Sequence, residues 1–398
     1  MNKDSHLILK KGRERSVQRQ HPWIFSGAIE KINGNPGQGE TVRIVDSQNN
    51  FLAWAAYSPK SQISARIWTW DECDVVNSEF INNRIYRALG LRQLLFSEQT
   101  TNSYRMLYSE SDGIPGLIID TYNDYLVLQF SSCGAEFWKE SIINSCTELG
   151  DAKNIFERSD SEVRKLEGLT QNIGSLRGNY PPDLIEIYEW GIRYLVDIKT
   201  GQKTGFYLDQ RTNRIRIREY AQEKRVLNCF SYTGGFTMNA ILGKAAEVLS
   251  IDSSKTALNL AKLNLEINQF NDKLAHWIEG DVFTELRTFR DRGEKFDLII
   301  LDPPKFAPTV HSIEKANRAY KDINLLAFKL LNPGGILFTF SCSGGINAEL
   351  FRKIIHGAAM DAGVNARILE QLHQDRDHPI PLCFPEAEYL KGLICKIN

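Results

Sequence analysis

A cysteine and an aspartate, each following an apolar run, are the residues of this sequence best placed to do chemistry. Cys342 follows the run 336–340, and Asp302 follows the run 296–301. Two buried parallel strands would bring the thiol and the carboxylate to one edge of a sheet. A thiolate that adds to carbon 6 of a pyrimidine makes carbon 5 nucleophilic, and an acid that engages the ring nitrogen assists. The pair therefore predicts methyl transfer to carbon 5 of a pyrimidine.

The loop after Asp302 narrows the choice of chemistry. Pro303 and Pro304 hold it extended and rigid. Methyltransferases that act on amino groups typically carry an aromatic residue next, to stack the base, but here the residue is Lys305. Lys305 is instead a candidate for lowering the pKa of the Cys342 thiol. A buried cysteine is often only a small apolar side chain, yet the position of Cys342 at a strand end favours a nucleophile.

The C-terminal half alternates apolar strands with helices. Predicted strands lie at 225–230, 247–251, 276–278, 296–301, 335–340 and 367–369, and predicted helices at 254–268, 283–292, 315–331 and 348–362. This pattern indicates a Rossmann-like α/β domain, with a parallel sheet covered on both faces. Ligands of such sheets bind outside the carboxyl ends of the strands.

Three successive strand ends carry residues suited to a nucleoside. Gly234 and Gly235 allow close approach of the backbone to a ligand, whereas the sequence lacks the Gly-x-Gly-x-x-Gly pattern of dinucleotide sites. Asp252 could accept hydrogen bonds from ribose hydroxyls or cap a helix. Asp281 could meet an adenine amino group, and Phe283 could cover the ring or pack in the core. Together they favour S-adenosylmethionine.

The candidate donor-binding residues come from these strand ends and from the segment 203–211, which either contributes to the methionine end of the pocket or packs a linker on the sheet. They are Tyr207, Phe230, Tyr232, Thr233, Gly234, Gly235, Asp252, Ser253, Asp281, Val282, Phe283 and Asp302.

The N-terminal half has a different pattern of predicted strands and helices. Residues 1–76 carry short strands between turn signals, which predict a small β-barrel. Residues 77–190 predict an α+β domain with helices at 77–96 and 135–149, a hairpin of 117–120 with 125–130, and a strand pair at 184–187 and 193–196. Residues 191–398 then form the third predicted domain.

Composition limits the function classes only weakly. The net charge is −1, with 42% hydrophobic and 24% charged residues, as in ordinary globular proteins. No apolar run reaches the ~18 residues of a membrane span, and the N-terminus lacks a signal-peptide core. The seven cysteines form no Cys-x-x-Cys pair, so no zinc site or disulfide framework is expected. We expect a cytoplasmic protein without metal.

Two basic clusters could contact phosphates, although for either alone a solvated surface is the simpler interpretation. They are Lys3, Lys10, Lys11, Arg13, Arg15, Arg19 and Lys31, and then Arg211, Arg214, Arg216 and Arg218. Trp23 and Phe25 lie beside the first cluster. We expect both rings in the core, with a stacking platform for RNA as the alternative.

Several of these segments, taken in order, resemble the ribosomal RNA large subunit methyltransferase I family. They are Thr233-Gly234-Gly235-Phe236, Asp302-Pro303-Pro304-Lys305-Phe306, Phe340-Ser341-Cys342-Ser343 and the stretch 204–211. The resemblance spans the whole chain. It implies an N-terminal PUA domain that binds RNA, a central α+β domain and a Rossmann-like class I methyltransferase domain. It also implies S-adenosylmethionine as the donor and 5-methylcytosine in 23S rRNA as the product.

The resemblance also implies roles for single residues. Cys342 would attack carbon 6 of cytosine, and Asp302 would bind the N3 and amino edge. Many RNA 5-methylcytosine enzymes carry a second cysteine after the paired prolines, where this chain has Lys305, so the base that releases the product stays open. His378, in a tail like that of the family, is a candidate base or a surface or capping group.

Rival functions remain at this point. The enzyme could modify uracil C5 or a guanine nitrogen, or the protein could be an RNA-binding assembly factor with an idle pocket. Intact Asp252, Asp281, Asp302 and Cys342 argue against the idle pocket. A homodimer is possible.

Overall fold

A computed structural model describes residues 5–97, 99–148, 153–306 and 313–398. Over these residues the chain divides into two compact units. The first comprises Met1–Glu189, Val196–Leu208 and Arg376–Ala387, and the second comprises Trp190–Leu195, Asp209–Asp375 and Glu388–Asn398. Lys3, from the first basic cluster, lies outside the described residues.

The N-terminal part of the first unit is a barrel-like sheet, as the turn signals predict. Its elements are β1 (His6–Leu9), α1 (Arg15–Gln18), β2 (Trp23–Phe25), β3 (Ile29–Asn33), β4 (Thr41–Val45), β5 (Phe51–Tyr57) and β6 (Ile63–Thr69). The strand order is β2-β6-β5-β4-β1-β3, and β1 pairs with β4 in parallel. Alternate residues point inward, because side chains along a strand alternate between its faces. Leu7, Leu9, Val42 and Ile44 therefore share one buried core.

The rest of the first unit combines helices with a second sheet. Its elements are α2 (Ser78–Leu95), β7 (Ser103–Tyr108), β8 (Leu117–Tyr122), β9 (Tyr125–Phe130), α3 (Cys133–Phe137), α4 (Lys139–Glu148), β10 (Asn154–Ser159), α5 (Val163–Glu167), β11 (Asn172–Arg177) and β12 (Ile185–Glu189). The sheet order is β11-β10-β9-β8-β7. The predicted hairpin is confirmed, with Tyr122 opposite Tyr125 and Asn123 left-handed at φ 55°. The single helix predicted at 135–149 is wrong, since α3 and α4 meet at Trp138.

The barrel and the α+β part share a buried cluster within the first unit. Trp54 and Trp68 of the barrel strands pack with Ile81 and Ile85 of α2 in this cluster. Removing a large buried side chain from such a cluster costs about 2–5 kcal/mol.

The second unit is built on one large sheet. Its elements are β13 (Ile192–Val196), which ends at the boundary between the units, α6 (Arg211–Ile217), β14 (Arg225–Cys229), α7 (Gly235–Leu242), β15 (Glu247–Asp252), α8 (Lys255–Ile267), β16 (Ala275–Glu279), α9 (Val282–Asp291), β17 (Phe296–Leu301), α10 (Ile313–Leu330), β18 (Leu331–Ser341), α11 (Ala348–Ala362), β19 (Ala366–His373) and β20 (Lys391–Ile397). The strand order of the large sheet is β16-β15-β14-β17-β18-β20-β19.

Strand directions in this sheet correct one expectation. The strands from β14 to β18 pair in parallel, as predicted. The unpredicted strand β20 inserts between β18 and β19 and runs antiparallel to both. The sheet is therefore mixed rather than parallel throughout. Near-continuous apolar strands such as β17 are buried along their length, which suits a sheet covered on both faces.

No helix in the described part of the chain is long and apolar enough to cross a membrane.

Candidate active site

The candidate site lies at the carboxyl ends of the central strands of the second unit. In register, Cys229 of β14 lies beside Ile251 of β15 and Leu301 of β17, and Leu301 lies beside Thr339 of β18. The residues that follow these strands therefore lie at the same edge of the sheet. The strand order also reverses direction at β14, which is where open α/β sheets bind ligands.

The turn from β14 to α7 is strained in a way that suits a binding loop. Phe230, Tyr232 and Gly234 all have left-handed backbone, with φ of 60°, 46° and 79°. Left-handed backbone is unfavourable for residues other than glycine and tends to persist at functional sites. A Cβ on Gly234 would lie 3.1 Å from Ala261 Cβ and 3.3 Å from the Trp277 ring. This crowding explains why glycine is required there.

Two hydroxyl groups of this turn are buried without hydrogen-bond partners. Ser231 is 5% exposed and Thr233 is 3% exposed, and neither side-chain oxygen has a partner among the described residues. Asn264 fixes the backbone beside them by donating to the Thr233 carbonyl at 3.0 Å. A buried hydroxyl without a partner is costly, so the turn has the unsatisfied polar atoms expected where a polar ligand binds.

Asp252, at the end of β15, is held by backbone amides. Tyr232 N donates to its Oδ2 and Ser254 N to its Oδ1, each at 2.8 Å. The N-cap of α8 is Ser254 rather than Asp252, since Ser254 accepts from Ala257 N. Each carboxylate oxygen can accept more than one hydrogen bond, so Asp252 is positioned and can still accept from a ligand. Its neighbour Ser253 is exposed.

The end of β16 leads into α9. Asp281 is exposed and caps this helix, with Oδ1 accepting from Thr284 N and Oγ1 at 2.9 Å each. The Val282 side chain is buried in the core, so only its backbone could meet a ligand. Phe283 is partly buried, and its ring centre lies 5.8 Å from that of Phe306. Phe283 thus packs against the core, and the part of its ring that is not buried could still cover a ligand ring.

Asp302 has an altered acidity. Burial, reinforced by the negative charge of Asp209, raises its pKa to about 7, although a hydrogen bond from Gln210 and the charge of Arg214 act in the opposite direction. Asp209 accepts a hydrogen bond from the Tyr389 hydroxyl at 2.5 Å. Asp302 can therefore carry a proton near neutral pH, which an ordinary aspartate cannot.

Cys342 follows β18 and is partly exposed. The two serines that flank it are fully buried. The hydroxyl of buried Tyr320 lies 3.1 Å from Ser343 Oγ. Burial raises the pKa of Tyr320, and the charges of both Cys342 and Asp302 add to that rise. Cys342 and Asp302 are therefore both close enough to Tyr320 for their charges to act on its hydroxyl.

Lys391, to which the sequence analysis assigns no chemical role, contacts the turn that carries this thiol. Lys391 Nζ donates to the Ser343 carbonyl at 3.1 Å. Burial lowers its pKa, as does the charge of Lys305, while Cys342 and Glu388 act to raise it. Lys305 itself is exposed after the paired prolines. The sequence signal for Lys391 is its place in the stretch Tyr389-Leu390-Lys391-Gly392, which resembles part of the C-terminal tail of the family but carries no chemical pattern of its own.

Two other predicted residues belong to the first unit. Tyr207 is partly buried, and its hydroxyl donates to Gln202 Oε1 at 2.5 Å. His378 is buried rather than at the surface, with Nδ1 lying 2.7 Å from Asp377 Oδ1. Asp377 in turn accepts from Arg105 N at 3.0 Å. His378 is therefore part of a buried polar network of the first unit.

The second basic cluster is not a solvated surface throughout. Arg211 and Arg214 are buried, and Arg211 pairs with Asp375 at 2.5 Å. Arg216 pairs with Glu370 at 2.7 Å, and Arg218 donates to Asn239. The solvated-surface interpretation is therefore wrong for the two buried arginines, and phosphate contact by this cluster stays a prediction.

The first cluster is different. Lys10, Lys11, Arg13, Arg15 and Arg19 are exposed. The prediction that both neighbouring rings lie in the core is wrong for Phe25, which is 49% exposed. Trp23 is partly buried, and its ring centre lies 4.8 Å from that of Phe384. A cavity of about 350 Å³ is lined by Arg13, Trp23 and Phe25, among others.

Comparisons with known proteins agree with this arrangement. A PUA-like domain family matches residues 7–70, and an S-adenosylmethionine-dependent methyltransferase family matches residues 173–380. The ribosomal RNA large subunit methyltransferase I of Escherichia coli (strain SMS-3-5 / SECEC) is 48% identical over 391 residues, covering 98% of this chain and 99% of that protein.

Solved structures support the fold. A Streptococcus mutans protein described as a SAM-dependent methyltransferase superposes with a TM-score of 0.85 at 21% identity, covering 98% of this chain and 99% of that one. A methyltransferase solved as a complex with SAH gives a TM-score of 0.86 at 21% identity, with the same coverage. The predicted fold class is therefore confirmed.

Proposed function

This chain belongs to the ribosomal RNA large subunit methyltransferase I family, and on that premise we propose that it forms 5-methylcytosine in 23S rRNA through a covalent bond between Cys342 and cytosine C6. S-adenosylmethionine is the methyl donor of the family. The observation that carries the proposal is that Asp302 and Cys342 follow the paired parallel strands β17 and β18 at one edge of the sheet, with the pKa of Asp302 raised to about 7.

The donor would be held by the three strand ends. The left-handed turn at Gly234 and the unpartnered hydroxyls of Ser231 and Thr233 suit the polar methionine end. Asp252, already oriented by two amides, would accept from the ribose hydroxyls. Asp281 and Phe283 would meet the adenine amino group and ring. When bound, S-adenosylmethionine supplies an electrophilic methyl group.

The pyrimidine end would use two groups in opposite protonation states. The Cys342 sulfur, as thiolate, forms a bond to C6, and the electrons of the C5–C6 double bond move toward C5. Protonated Asp302 donates to N3 and stabilises the charge that develops on the ring. C5 would then accept the methyl group as the S–CH3 bond of the donor breaks and leaves a neutral sulfide. Loss of the C5 proton to a base would re-form the C5–C6 double bond and expel the Cys342 sulfur as thiolate.

Binding of rRNA would fall to the N-terminal barrel. Exposed lysines and arginines of α1 and its flanks suit phosphates, and exposed Phe25 suits stacking on an unpaired base. We place this function in residues 1–76, with 77–190 as the central domain and 191–398 as the catalytic domain. The target cytosine must leave its stack, because C5 and C6 are inaccessible inside a helix. An enzyme acting on rRNA would work in the cytoplasm, which is the location we propose.

A homodimer is a further part of this proposal. β19 is the edge strand of the large sheet, and Ile368 and Leu369 on it are exposed. Exposed apolar edge strands favour pairing with another chain. Sedimentation of the purified protein would test this, since a monomer at micromolar concentration would contradict it.

Mass spectrometry of modified nucleosides tests the main proposal. Unmodified 23S rRNA is incubated with the protein and S-adenosylmethionine, digested to nucleosides and separated by mass. We expect 5-methylcytidine. Finding 5-methyluridine or a methylated guanosine instead would overturn the base assignment, and donor binding without any product would support an idle pocket.

A further inference from the structure

Lys391 contacts the turn that carries Cys342 from a different strand, β20. It is the first residue of β20 and pairs with Ser341 of β18 in the antiparallel register. The next pair is Gly392 opposite Phe340, and a Cβ on Gly392 would lie 2.5 Å from the Phe340 ring. The missing side chain therefore lets β20 approach β18 closely where the Cys342 turn begins.

The Lys391 side chain is buried at the point where β18 ends. The residue is 6% exposed, and Nζ donates to the carbonyl of Ser343, the residue after the thiol, at 3.1 Å. A buried ammonium group is costly unless charges or hydrogen bonds compensate it. A carbonyl satisfies only one of its three donors.

The charged groups that face Lys391 are Cys342, Glu388 and Lys305. Glu388 is hydrogen-bonded to His373, with Oε1 and Nδ1 3.1 Å apart. Lys305 has the same charge as Lys391 and repels it. Of the three, the Cys342 sulfur is the group that lies within the turn that Lys391 contacts.

We propose that Lys391 is the positioning residue that holds Cys342 as a thiolate, with its ammonium group stabilising the sulfur before it adds to the pyrimidine. This inference rests on the proposed function only for the use of the thiolate, which is attack on the pyrimidine. The S–H bond breaks, the proton passes to water, and the sulfur keeps the electron pair opposite the ammonium. Lys305 is exposed, so solvent screens its charge, and it cannot replace Lys391.

Alkylation of the thiol tests this without RNA or methyl donor. The rate at which iodoacetamide modifies the Cys342 peptide is followed by mass spectrometry from about pH 6 to pH 10 in wild type, Lys391→Met, Lys391→Arg and Lys305→Met. An opposite charge at close range lowers a pKa by about 1–3 units. We expect Lys391→Met to react at least about tenfold more slowly at neutral pH, with its midpoint moved upward. The Lys391→Arg and Lys305→Met profiles should stay close to wild type.

An unchanged profile in Lys391→Met would overturn the inference, and so would a shift of equal size in Lys305→Met. Calorimetric binding of S-adenosylmethionine shows whether Lys391→Met is folded. If it is not, the wild-type profile decides, because a midpoint at or above the ordinary thiol value of about 8.5 leaves no role for the ammonium. Failure to find 5-methylcytidine would instead count against the proposed function and leave the alkylation result standing.

Discussion

At the scale of single residues, the proposed reaction requires the Cys342 thiol and the Asp302 carboxyl to ionise in the unusual order. A thiol normally ionises well above an aspartate, yet the proposed reaction needs the thiolate and the protonated carboxyl together. The pKa of Asp302 is raised to about 7 by burial and by Asp209. For the thiol, the Lys391 ammonium donates to the carbonyl of Ser343, the residue that follows Cys342. Each group thus has an identifiable physical cause for its proposed state.

The raised pKa of Asp302 predicts a pH-dependent change in stability. Because the folded-state pKa of about 7 exceeds the ordinary value of 3.8, the stabilising contribution of this group is full below about pH 4 and is lost as pH rises toward 7. Asp302→Asn should therefore be more stable than wild type at pH 8, by at most about 4 kcal/mol. The difference should vanish near pH 4 in denaturant unfolding curves.

Asp297, on the strand β17 that Asp302 follows, provides the control of opposite sign. Its pKa is lowered, despite partial burial, because it accepts hydrogen bonds from Arg225 N and Asn332. Its contribution is present above about pH 4 and is lost as pH falls through its lowered value. Asp297→Asn should thus be less stable than wild type at pH 8. If both variants shift in the same direction there, the electrostatic explanation for Asp302 is wrong.

The positions of Cys342 and Asp302 at strand ends were predictable from sequence, whereas their surroundings were not. Cys342 and Asp302 stand out because each ends an apolar run. Lys391 does not, since it starts a short strand that contains a glycine and a second lysine. Its relation to Cys342 arises from pairing across about 50 residues of chain, which no local pattern encodes.

At the scale of elements, the turn from β14 to α7 is the element that would position the proposed donor pocket. Gly234→Ala should lower stability by about 1–2 kcal/mol through the left-handed backbone, and the crowding against Ala261 adds to this. The affinity for S-adenosylmethionine should fall at least about tenfold, because the turn can no longer hold its shape. Chemical denaturation and calorimetry measure the two effects.

Gly293→Ala is the matched control for this turn. Gly293 is also left-handed, at φ 70°, but a Cβ added to it would meet no atom within 4 Å. This variant should lose stability by a similar backbone penalty and keep its donor affinity. Equal loss of donor affinity in both variants would show that the turn acts only through global stability.

Elements were predictable where their sequence pattern is long and regular. Strands β14 to β17 lie within about two residues of their predicted bounds, because each is an apolar run between turn signals. The helix α7 was missed, since it begins directly at the paired glycines, which are typical of a loop. The antiparallel strand β20 was missed because its pairing is decided by β18 and β19, not by its own residues.

At the scale of the whole molecule, the N-terminal barrel should supply affinity for RNA rather than chemistry. Replacing Arg13, Arg15 and Arg19 by Gln removes three exposed charges around α1. Each lost phosphate contact should reduce the slope of log affinity against log salt by about 0.7–0.9. Filter binding to 23S rRNA at several salt concentrations measures this, while donor binding should not change.

The control removes the same number of exposed charges elsewhere. Lys262, Arg352 and Lys353 lie on α8 and α11 of the second unit and are exposed. Their replacement by Gln should leave the salt slope close to the wild-type value. If this triple variant loses as much affinity as the first, attraction is spread over the molecule and the barrel has no special role.

The architecture at this scale was only partly readable from the sequence. The change from short strands to alternating strands and helices correctly predicted a barrel followed by a Rossmann-like sheet. The segment Arg376–Ala387 belongs to the first unit although it lies between β19 and β20 of the second. Buried polar contacts hold this segment in the first unit, for example the donation from Arg92 to the Asp377 carbonyl at 2.8 Å. Sequence patterns do not reveal such contacts.

The most direct measurement is to trap the bond between enzyme and base. Fluorine at C5 cannot leave as a proton does, so RNA containing 5-fluorocytidine should stay attached after methyl transfer. With S-adenosylmethionine present, we predict that mass spectrometry finds the nucleotide on the peptide that contains Cys342. Cys342→Ala should form no adduct, while Cys383→Ala, which removes another partly exposed thiol, should form it normally. Methylation by Cys342→Ala, or an adduct on any other residue, would contradict the proposed role of this sulfur.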